Sequence, residues 1–307
     1  MDSAQLPIPA RLNLLLGALL LVVLTTVLVL AGRVEGGWNL VLLALAYGIV
    51  MNSGYALLHE AEHNLFHPNA AVNQIGGVLL ALFFPAPFHL LRQGHLGHHM
   101  RNRSDDEAFD FYFEGESRIW KHLQFYGILT GFFWAVIVLA NVLALIKPAL
   151  LEPKYASFDR PTAAFLGSLN PRFQRLIRLE ALLLFVLHGG IPWLGAIPWQ
   201  NYAIVLFGFG FSWSAMQYVH HFGTVRDVQK GARNLRTFFW LDALWLNHNW
   251  HLNHHINPTA PWIYLPHLYS GAEFVRGNLF LAYVRMWRGP QPATARVENY
   301  YAGVIIR

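Results

Sequence analysis

Three groups of histidines have the residue type and the spacing that a reactive site in this chain would need. The last group lies within 247–255, where His251, His254 and His255 stand at positions i, i+3 and i+4. On a helix these three rings leave from one face, about one turn apart. Neutral imidazole is the commonest protein ligand for iron, zinc and copper, so this spacing is typical of a metal site.

Two further groups repeat the pattern upstream. His59 and His63 stand at i and i+4, and the second group has the same i, i+3, i+4 spacing as the third. The second group consists of His95, His98 and His99. One such group would suit structural histidines, but three in one chain favour a metal centre. Eight histidines are too many for one tetrahedral zinc ion, and an all-nitrogen site favours two irons over magnesium or calcium.

The composition places this predicted site in a membrane protein. Of the 307 residues, 55% are hydrophobic and only 13% are charged, which is more apolar than a soluble domain. The chain has no cysteine, which excludes an iron–sulfur centre or a built-in rubredoxin. The net charge of +5 is expected to lie in cytoplasmic loops, and no basic module for nucleic acid is apparent.

The apolar segments predict about four transmembrane helices arranged as two hairpins, within 11–58 and 176–220. A span needs about 20 apolar residues. The predicted spans are 14–31, 38–58, 176–188 and 202–218. The tip of the second hairpin, 189–199, carries no Asp, Glu, Lys or Arg, whereas the loops on the other side are basic. This asymmetry predicts that the termini and all three histidine groups lie on the cytoplasmic side.

The region between the hairpins, 72–147, is predicted to be re-entrant or interfacial. Segment 72–91 is apolar but broken by glycine and proline, and a full crossing would put the second histidine group opposite the first. Segment 128–146 is flanked by basic residues on both sides, so it is expected to enter and leave on one side or to lie along the interface. The sequence therefore predicts an all-α integral membrane protein, a single domain over 1–307. A predicted cytoplasmic cap carries the three histidine boxes. Residues 221–307 form the C-terminal part of this cap and contain the third box.

The pattern His-x3-His, His-x2-His-His, His-x2-His-His resembles the membrane fatty acid desaturase and hydroxylase superfamily over about 38–269. That resemblance implies a non-haem di-iron oxidoreductase that uses dioxygen and two external electrons to attack unactivated C–H bonds in lipids. The implied partners are a fatty acid, acyl lipid or acyl thioester, dioxygen and membrane lipids, with no nucleic acid. Because the chain shows no electron-carrier domain, a separate donor of ferredoxin, rubredoxin or cytochrome b5 type, with its reductase, is also implied.

Some members of that superfamily carry a ninth histidine ahead of the third box. Alkane hydroxylases show it as Asn-Tyr-x-x-His-Tyr-Gly, and this chain has the similar Gln-Tyr-Val-His-His-Phe-Gly at 217–223. The first residue departs from the pattern, and the fifth is His221. His220 is the competitor, and His248 is a lesser one. The resemblance thus implies the metal ligands His59, His63, His95, His98, His99, His221, His251, His254 and His255.

The ligands do not fix the reaction, and several alternatives stay open. Desaturation is expected because it is the commonest outcome in the superfamily. The short chain without a fused carrier also suits bacterial inner-membrane enzymes that decarboxylate a free fatty acid to a terminal alkene, and lipid or alkane hydroxylation is a further alternative. A zinc membrane metalloprotease is a remote one, since His59 and His63 also fit His-Glu-x-x-His with Glu60 as general base. A haem carrier would need opposed histidines inside the spans.

Carboxylates and aromatic residues near the boxes are weaker candidates. Carboxylates could orient ligand imidazoles or only form solvated acidic loops. They are Asp105, Asp106, Glu107, Asp110 and, more weakly, Asp242. Four aromatic residues could line an acyl tunnel or only pack in the core, namely Phe83, Phe84, Trp245 and Trp250.

Overall fold

The computed structural model describes residues 6–269 and 271–306. In this part of the chain there are twelve α-helices and four two-residue strands. The helices are α1 (Ala10–Leu30), α2 (Gly37–Glu62), α3 (Ala70–Phe83), α4 (Phe88–Arg101), α5 (Arg118–Leu129), α6 (Phe132–Ile146), α7 (Arg160–Ser168), α8 (Gln174–Leu194), α9 (Trp199–Met216), α10 (Phe239–Leu244), α11 (His251–Ile256) and α12 (Leu279–Met286). The strands form two parallel pairs, β1 (Phe111–Tyr112) with β4 (Gln291–Pro292) and β2 (Leu235–Arg236) with β3 (Gly277–Asn278).

Three segments are long and apolar enough to cross a membrane: α1, α2 and Pro171–Leu194, which contains α8. Two bent helix pairs pass the same test only as pairs, so the described residues contain three to five candidate spans. This range includes the predicted four, and the predicted all-α fold is confirmed. The predicted second arm of the second hairpin, α9, is not among these spans, because glutamine, asparagine, glycine and serine dilute its apolar residues.

The two bends fall in the region predicted to be re-entrant or interfacial. Helices α3 and α4 meet at 98° across a break that contains two prolines, which cannot continue a helix. Helices α5 and α6 meet at 95° at Gly131, whose φ of +91° favours glycine. A side chain at Gly131 would also approach the Phe211 Cα to 3.0 Å. The role of these bends in a membrane stays a prediction.

Helix α2 lies at the centre of the molecule and is buried throughout its second half, from 51 to 62. It packs along α9, where the two backbones approach closely at Gly48 and Gly208. A Cβ on Gly208 would lie 2.1 Å from the Ala44 carbonyl oxygen, so this contact requires glycine. The packing fixes the end of α2, which carries the first histidine box.

The C-terminal residues are fixed against the loop that follows α4. Val297 exchanges two hydrogen bonds with Asp105, of 2.8 and 3.0 Å. Asn299 donates to the Asp106 carboxylate at 2.8 Å, and the Ile306 N–H donates to the Ser168 carbonyl at 3.0 Å. The end of the chain therefore ties the loop after the second histidine box to α7.

Candidate metal centre

Four elements bring the histidine boxes together. The first box lies at the end of α2, the second at the end of α4, and the third forms α11. His221 lies in the turn after α9. The buried network around Asp242 positions α11, because this carboxylate accepts from the Thr237 N–H at 2.9 Å and from the Asn249 amide at 2.9 Å, and also binds Arg276.

Five of the predicted ligands form one group. They are His59, His63, His95, His99 and His254, and one nitrogen from each lies within 4.8 Å of the others. The Nε2 atoms of His63 and His95 are 2.8 Å apart, those of His95 and His99 are 3.0 Å apart, and those of His99 and His254 are 2.9 Å apart. The His59 Nε2 is buried and has no hydrogen-bond partner in the described chain.

The other four predicted ligands form the second group, with the same 4.8 Å limit. They are His98, His221, His251 and His255. The Nε2 atoms of His221 and His251 are 3.0 Å apart, and those of His251 and His255 are 3.2 Å apart. His98 Nε2 lies 3.3 Å from His255 Nε2. The structure thus brings all nine histidines into two neighbouring groups, and their binding of metal stays a prediction.

The chemistry of the two groups fits one transition-metal ion in each. Two imidazole nitrogens about 2.1 Å from one ion at a right angle are about 3.0 Å apart, close to the separations seen here. Burial lowers the pKa of His251, His254 and His255 well below the ordinary value, and neighbouring histidines lower it further, so these rings are neutral. Neutral rings whose unprotonated nitrogens converge on one point are the form that binds iron, zinc or copper.

The boxes do not correspond to the groups one to one. On α4, His95 and His99 join the first group whereas His98 joins the second. On α11, His254 joins the first group whereas His251 and His255 join the second. Each of these two helices therefore supplies both groups, which fixes the groups next to each other.

The geometry distinguishes the three candidates for the ninth ligand. His221 Nδ1 donates to the Gly231 carbonyl at 2.8 Å, which leaves Nε2 as the acceptor nitrogen beside His251. His220 Nδ1 donates to the Arg233 carbonyl at 3.1 Å, and its Nε2 is unpartnered but belongs to neither group. His248 also lies outside both groups. Burial lowers the pKa of His220 to about 3 and that of His248 to about 4, so both rings are neutral.

Of the five candidate carboxylates, only Glu107 contacts a predicted ligand. It binds His98 Nδ1 and lies 3.3 Å from the Arg101 guanidinium. Burial opposes ionisation of Glu107, but His98 and Arg101 outweigh it and hold the pKa of this carboxyl below its ordinary value. The remaining carboxylates hold arginines, amides or backbone groups around the site. They are Asp105, Asp106, Asp110 and Asp242.

Glu60, the general base of the metalloprotease alternative, is engaged elsewhere. Its Oε2 accepts the Trp262 backbone N–H at 3.1 Å. His59 and His63 meanwhile share their group with three further histidines. These residues therefore do not form a two-histidine zinc site with a free glutamate.

A cavity of about 1250 Å³ opens beside the two groups, larger than a typical pocket for a drug-sized ligand. Of the seven histidines that line it, six belong to the two groups or were candidates for the ninth ligand, namely His59, His95, His98, His220, His248 and His251. Apolar side chains of α5, α6 and α7 line much of the rest, among them Leu123, Phe132, Val136, Leu143 and Phe165. The four aromatic residues suggested by the sequence are not among its lining, because they pack in the core or face another surface.

Comparison with known proteins agrees with the site. No curated protein matches the chain. The family model described as Fatty acid desaturase matches residues 36–285, a stretch that includes all nine histidines of the two groups. Several apolar helices, the clustered histidines and this match over most of the chain identify a membrane protein of the fatty-acyl-oxidising class. The chain belongs to the fatty acid desaturase family.

Proposed function

We propose that the protein is a dioxygen-dependent membrane oxidase that holds two iron ions and desaturates a fatty acid or fatty-acyl chain. The observation that carries this proposal is the opening of an apolar cavity onto two all-histidine groups. The family match supports an acyl chain as the occupant of the cavity. The nine imidazoles favour iron over magnesium or calcium, which prefer oxygen ligands.

Iron bound by the two groups would supply the dioxygen activation that attack on an unactivated C–H bond requires. The apolar walls formed by α5, α6 and α7 hold the acyl chain and exclude water from it. Glu107 fixes the ring of His98 through Nδ1 and so keeps its Nε2 free. Desaturation removes two hydrogens from adjacent carbons. With one dioxygen, two electrons and two protons, it yields a double bond and two water molecules.

The electrons in this proposal come from a separate carrier with its reductase, of ferredoxin, rubredoxin or cytochrome b5 type. The motive is that the chain has no cysteine to hold an iron–sulfur centre. We place the site on the cytoplasmic side of a bacterial inner membrane, because segments 147–178 and 224–236 are basic whereas segment 189–199 carries no Asp, Glu, Lys or Arg.

Oxidative decarboxylation of a free fatty acid to a terminal alkene is the second candidate function. It is favoured by one observation: polar side chains, including Tyr55 and His248, line the cavity beside the histidines. A reaction in the middle of an acyl chain would place only methylene groups beside those polar side chains.

The proposal is tested by expressing the protein with a panel of fatty acids and measuring both bound metal and lipid products by mass spectrometry. We expect two irons per chain and an oxidised acyl product. His95→Ala should abolish product and lower the iron content, whereas the control His67→Ala should change neither, since His67 lies outside both groups. Zinc in place of iron, or full activity in His95→Ala, would refute the proposal.

A further inference from the structure

The outer side of α10 and α12 is apolar. Six exposed side chains form this surface, here called the aromatic face, namely Phe238, Phe239, Trp240, Phe280, Leu281 and Val284. The Phe238 ring lies 6.1 Å from the nearly parallel Trp240 ring and 5.7 Å from the Phe280 ring, so the two helices contribute to one surface. Phe239 is 88% exposed. A contiguous exposed apolar surface of this kind marks a place where another molecule or a membrane is bound.

The inner sides of the same two helices are fixed against membrane-type helices. The Trp245 indole, just after α10, donates to the Ile49 carbonyl of α2 at 3.2 Å. The Tyr283 hydroxyl of α12 donates to the Leu129 carbonyl at the end of α5 at 3.1 Å. Buried residues of α5, α10 and α12 also form one apolar cluster. The aromatic face is therefore held beside α2 and α5 and points away from them.

The contact at Ile49 gives the depth of the aromatic face. Ile49 precedes His59 by ten positions on α2, which is about 15 Å along a helix axis. Leu45 lies one further turn away from the histidines and is exposed on the surface of this candidate span. The aromatic face thus continues the apolar surface of α2 at a level well below the histidine boxes. A soluble protein that approached the histidine end would not reach this level.

The charges next to the aromatic face have one sign. Its only acidic neighbour within 236–244 is Asp242, which is buried against Arg276, and 279–288 contains no acidic residue. Exposed arginines adjoin the face in the chain, and none of them forms an ion pair with another described residue. They are Arg236, Arg285 and Arg288. Apolar rings beside unpaired arginines match a phospholipid, which has acyl chains below an anionic phosphate.

We infer that the aromatic face is embedded among the acyl chains of the leaflet on the histidine side, and that Arg285 and Arg288 bind the phosphates of anionic phospholipids there. This inference goes beyond the proposed function and holds whichever reaction the protein catalyses. Its consequence for the fold is that the bilayer fixes α10, and the chain after α10 leads directly into the third histidine box on α11.

A fluorophore at single cysteines tests the embedding, because the chain has no cysteine of its own. The iron-loaded protein is placed in nanodiscs of phosphatidylcholine and phosphatidylglycerol in equal parts and labelled with nitrobenzoxadiazole. We expect the label in Phe239→Cys and Val284→Cys to be quenched by doxyl-labelled lipid and not by aqueous iodide. Leu42→Cys, at an exposed position of the span α2, should behave in the same way. Gln229→Cys, at an exposed position of the basic loop before α10, is the control that iodide should quench.

The same label at position 284 tests the arginines. Doxyl-labelled phosphatidylglycerol should be enriched beside it over doxyl-labelled phosphatidylcholine by about fivefold for each arginine. The double variant Arg285→Gln, Arg288→Gln should remove this preference. The control double variant Arg175→Gln, Arg178→Gln should keep it, because these exposed arginines lie on α8, which carries no part of the aromatic face.

Two results would contradict the inference. Iodide quenching of the label at either position 239 or position 284 would overturn the embedding and leave a water-exposed face for a protein partner. Equal quenching by the two doxyl lipids in protein that keeps Arg285 and Arg288 would overturn the phosphate assignment. The iron content of each labelled variant should equal that of the native protein, since none of the substituted residues belongs to either histidine group.

Discussion

Glu107 is the carboxylate that contacts a predicted ligand ring, so Glu107→Gln tests how the four-histidine group is held. A carboxylate on His98 Nδ1 keeps the proton on that nitrogen and leaves Nε2 unprotonated toward the group. Glutamine has nearly the same shape, but its amide can present an N–H to Nδ1. That contact would move the ring proton to Nε2, the nitrogen that lies 3.3 Å from His255 Nε2.

The size of the expected loss in metal affinity follows from the contact between Glu107 and His98. Loss of an orienting carboxylate weakens metal affinity about tenfold to a hundredfold, which is about 1.4 to 2.7 kcal/mol. The loss should fall on one group only, because His98 belongs to the four-histidine group and Glu107 contacts no member of the other. Arg101 keeps a hydrogen bond to the Ser168 hydroxyl at 3.1 Å, which limits the effect on folding.

The assay is an iron titration of the metal-depleted protein against a chelator that sets the free iron concentration. In the native protein we expect two irons per chain, and in Glu107→Gln the second should bind about tenfold to a hundredfold more weakly. Glu152→Gln is the control, since this exposed carboxylate pairs with Lys154 and contacts no predicted ligand. Unchanged binding of both irons in Glu107→Gln, or equal weakening in Glu152→Gln, would refute the reasoning.

Three further predictions concern the ninth ligand, the topology and the central helix contact. His221→Ala should lower bound iron toward one per chain, whereas His220→Ala should keep both irons; the reverse result in metal analysis would make His220 the ligand. Cysteines introduced at the exposed positions Ser157 and Ala196 should react with an impermeant maleimide from opposite sides of the membrane, and labelling of both from one side would contradict the topology. Gly208→Ala should lower the free energy of unfolding by about 1–3 kcal/mol or more, because the added Cβ forces α2 away from α9. In the control Gly189→Ala the added Cβ meets nothing within 4 Å, so stability should not change. Equal melting temperatures of the two variants would contradict this account.

The sequence predicts the composition of the site better than its arrangement. Local spacing is enough to place three rings on one helix face, so the eight box histidines could be named before their positions were known. The ninth, His221, was implied only by the resemblance to the alkane-hydroxylase pattern. Spacing does not say that His98 separates from its neighbours His95 and His99, because that depends on how α4 is rotated between α2 and α11. The break between α3 and α4 was likewise predictable from its prolines, since proline acts locally.

The cavity and the outer contacts were not predictable in the same way. The apolar walls of the cavity come from α5, α6 and α7. In the sequence, apolar residues that line a cavity look the same as apolar residues that face lipid. The acidic stretch after the second box also had two open interpretations. Its burial depends on distant partners such as Arg226 and Arg296, which bind Asp105 from far along the chain.

The acidic loop after the second box, which carries Asp105, Asp106, Glu107 and Asp110, explains why the two histidine groups depend on different parts of the fold. The five-histidine group draws on α2, α4 and α11, with α2 held by close helix packing. The four-histidine group includes His221, which lies in a turn, and Asp110 holds this turn from both sides. Its carboxylate accepts the Tyr218 hydroxyl and the Gly223 N–H, each at 2.7 Å.

Glu107, in the same loop, holds His98, so one loop positions two of the four ligands in this group. The loop in turn depends on the C-terminal residues, because Val297 and Asn299 bind Asp105 and Asp106. Contacts through turns and chain ends open more readily than contacts within packed helices. The four-histidine group is therefore the one whose geometry responds first when the loop or the C-terminal residues are disturbed, although none of the described C-terminal residues lies in either group.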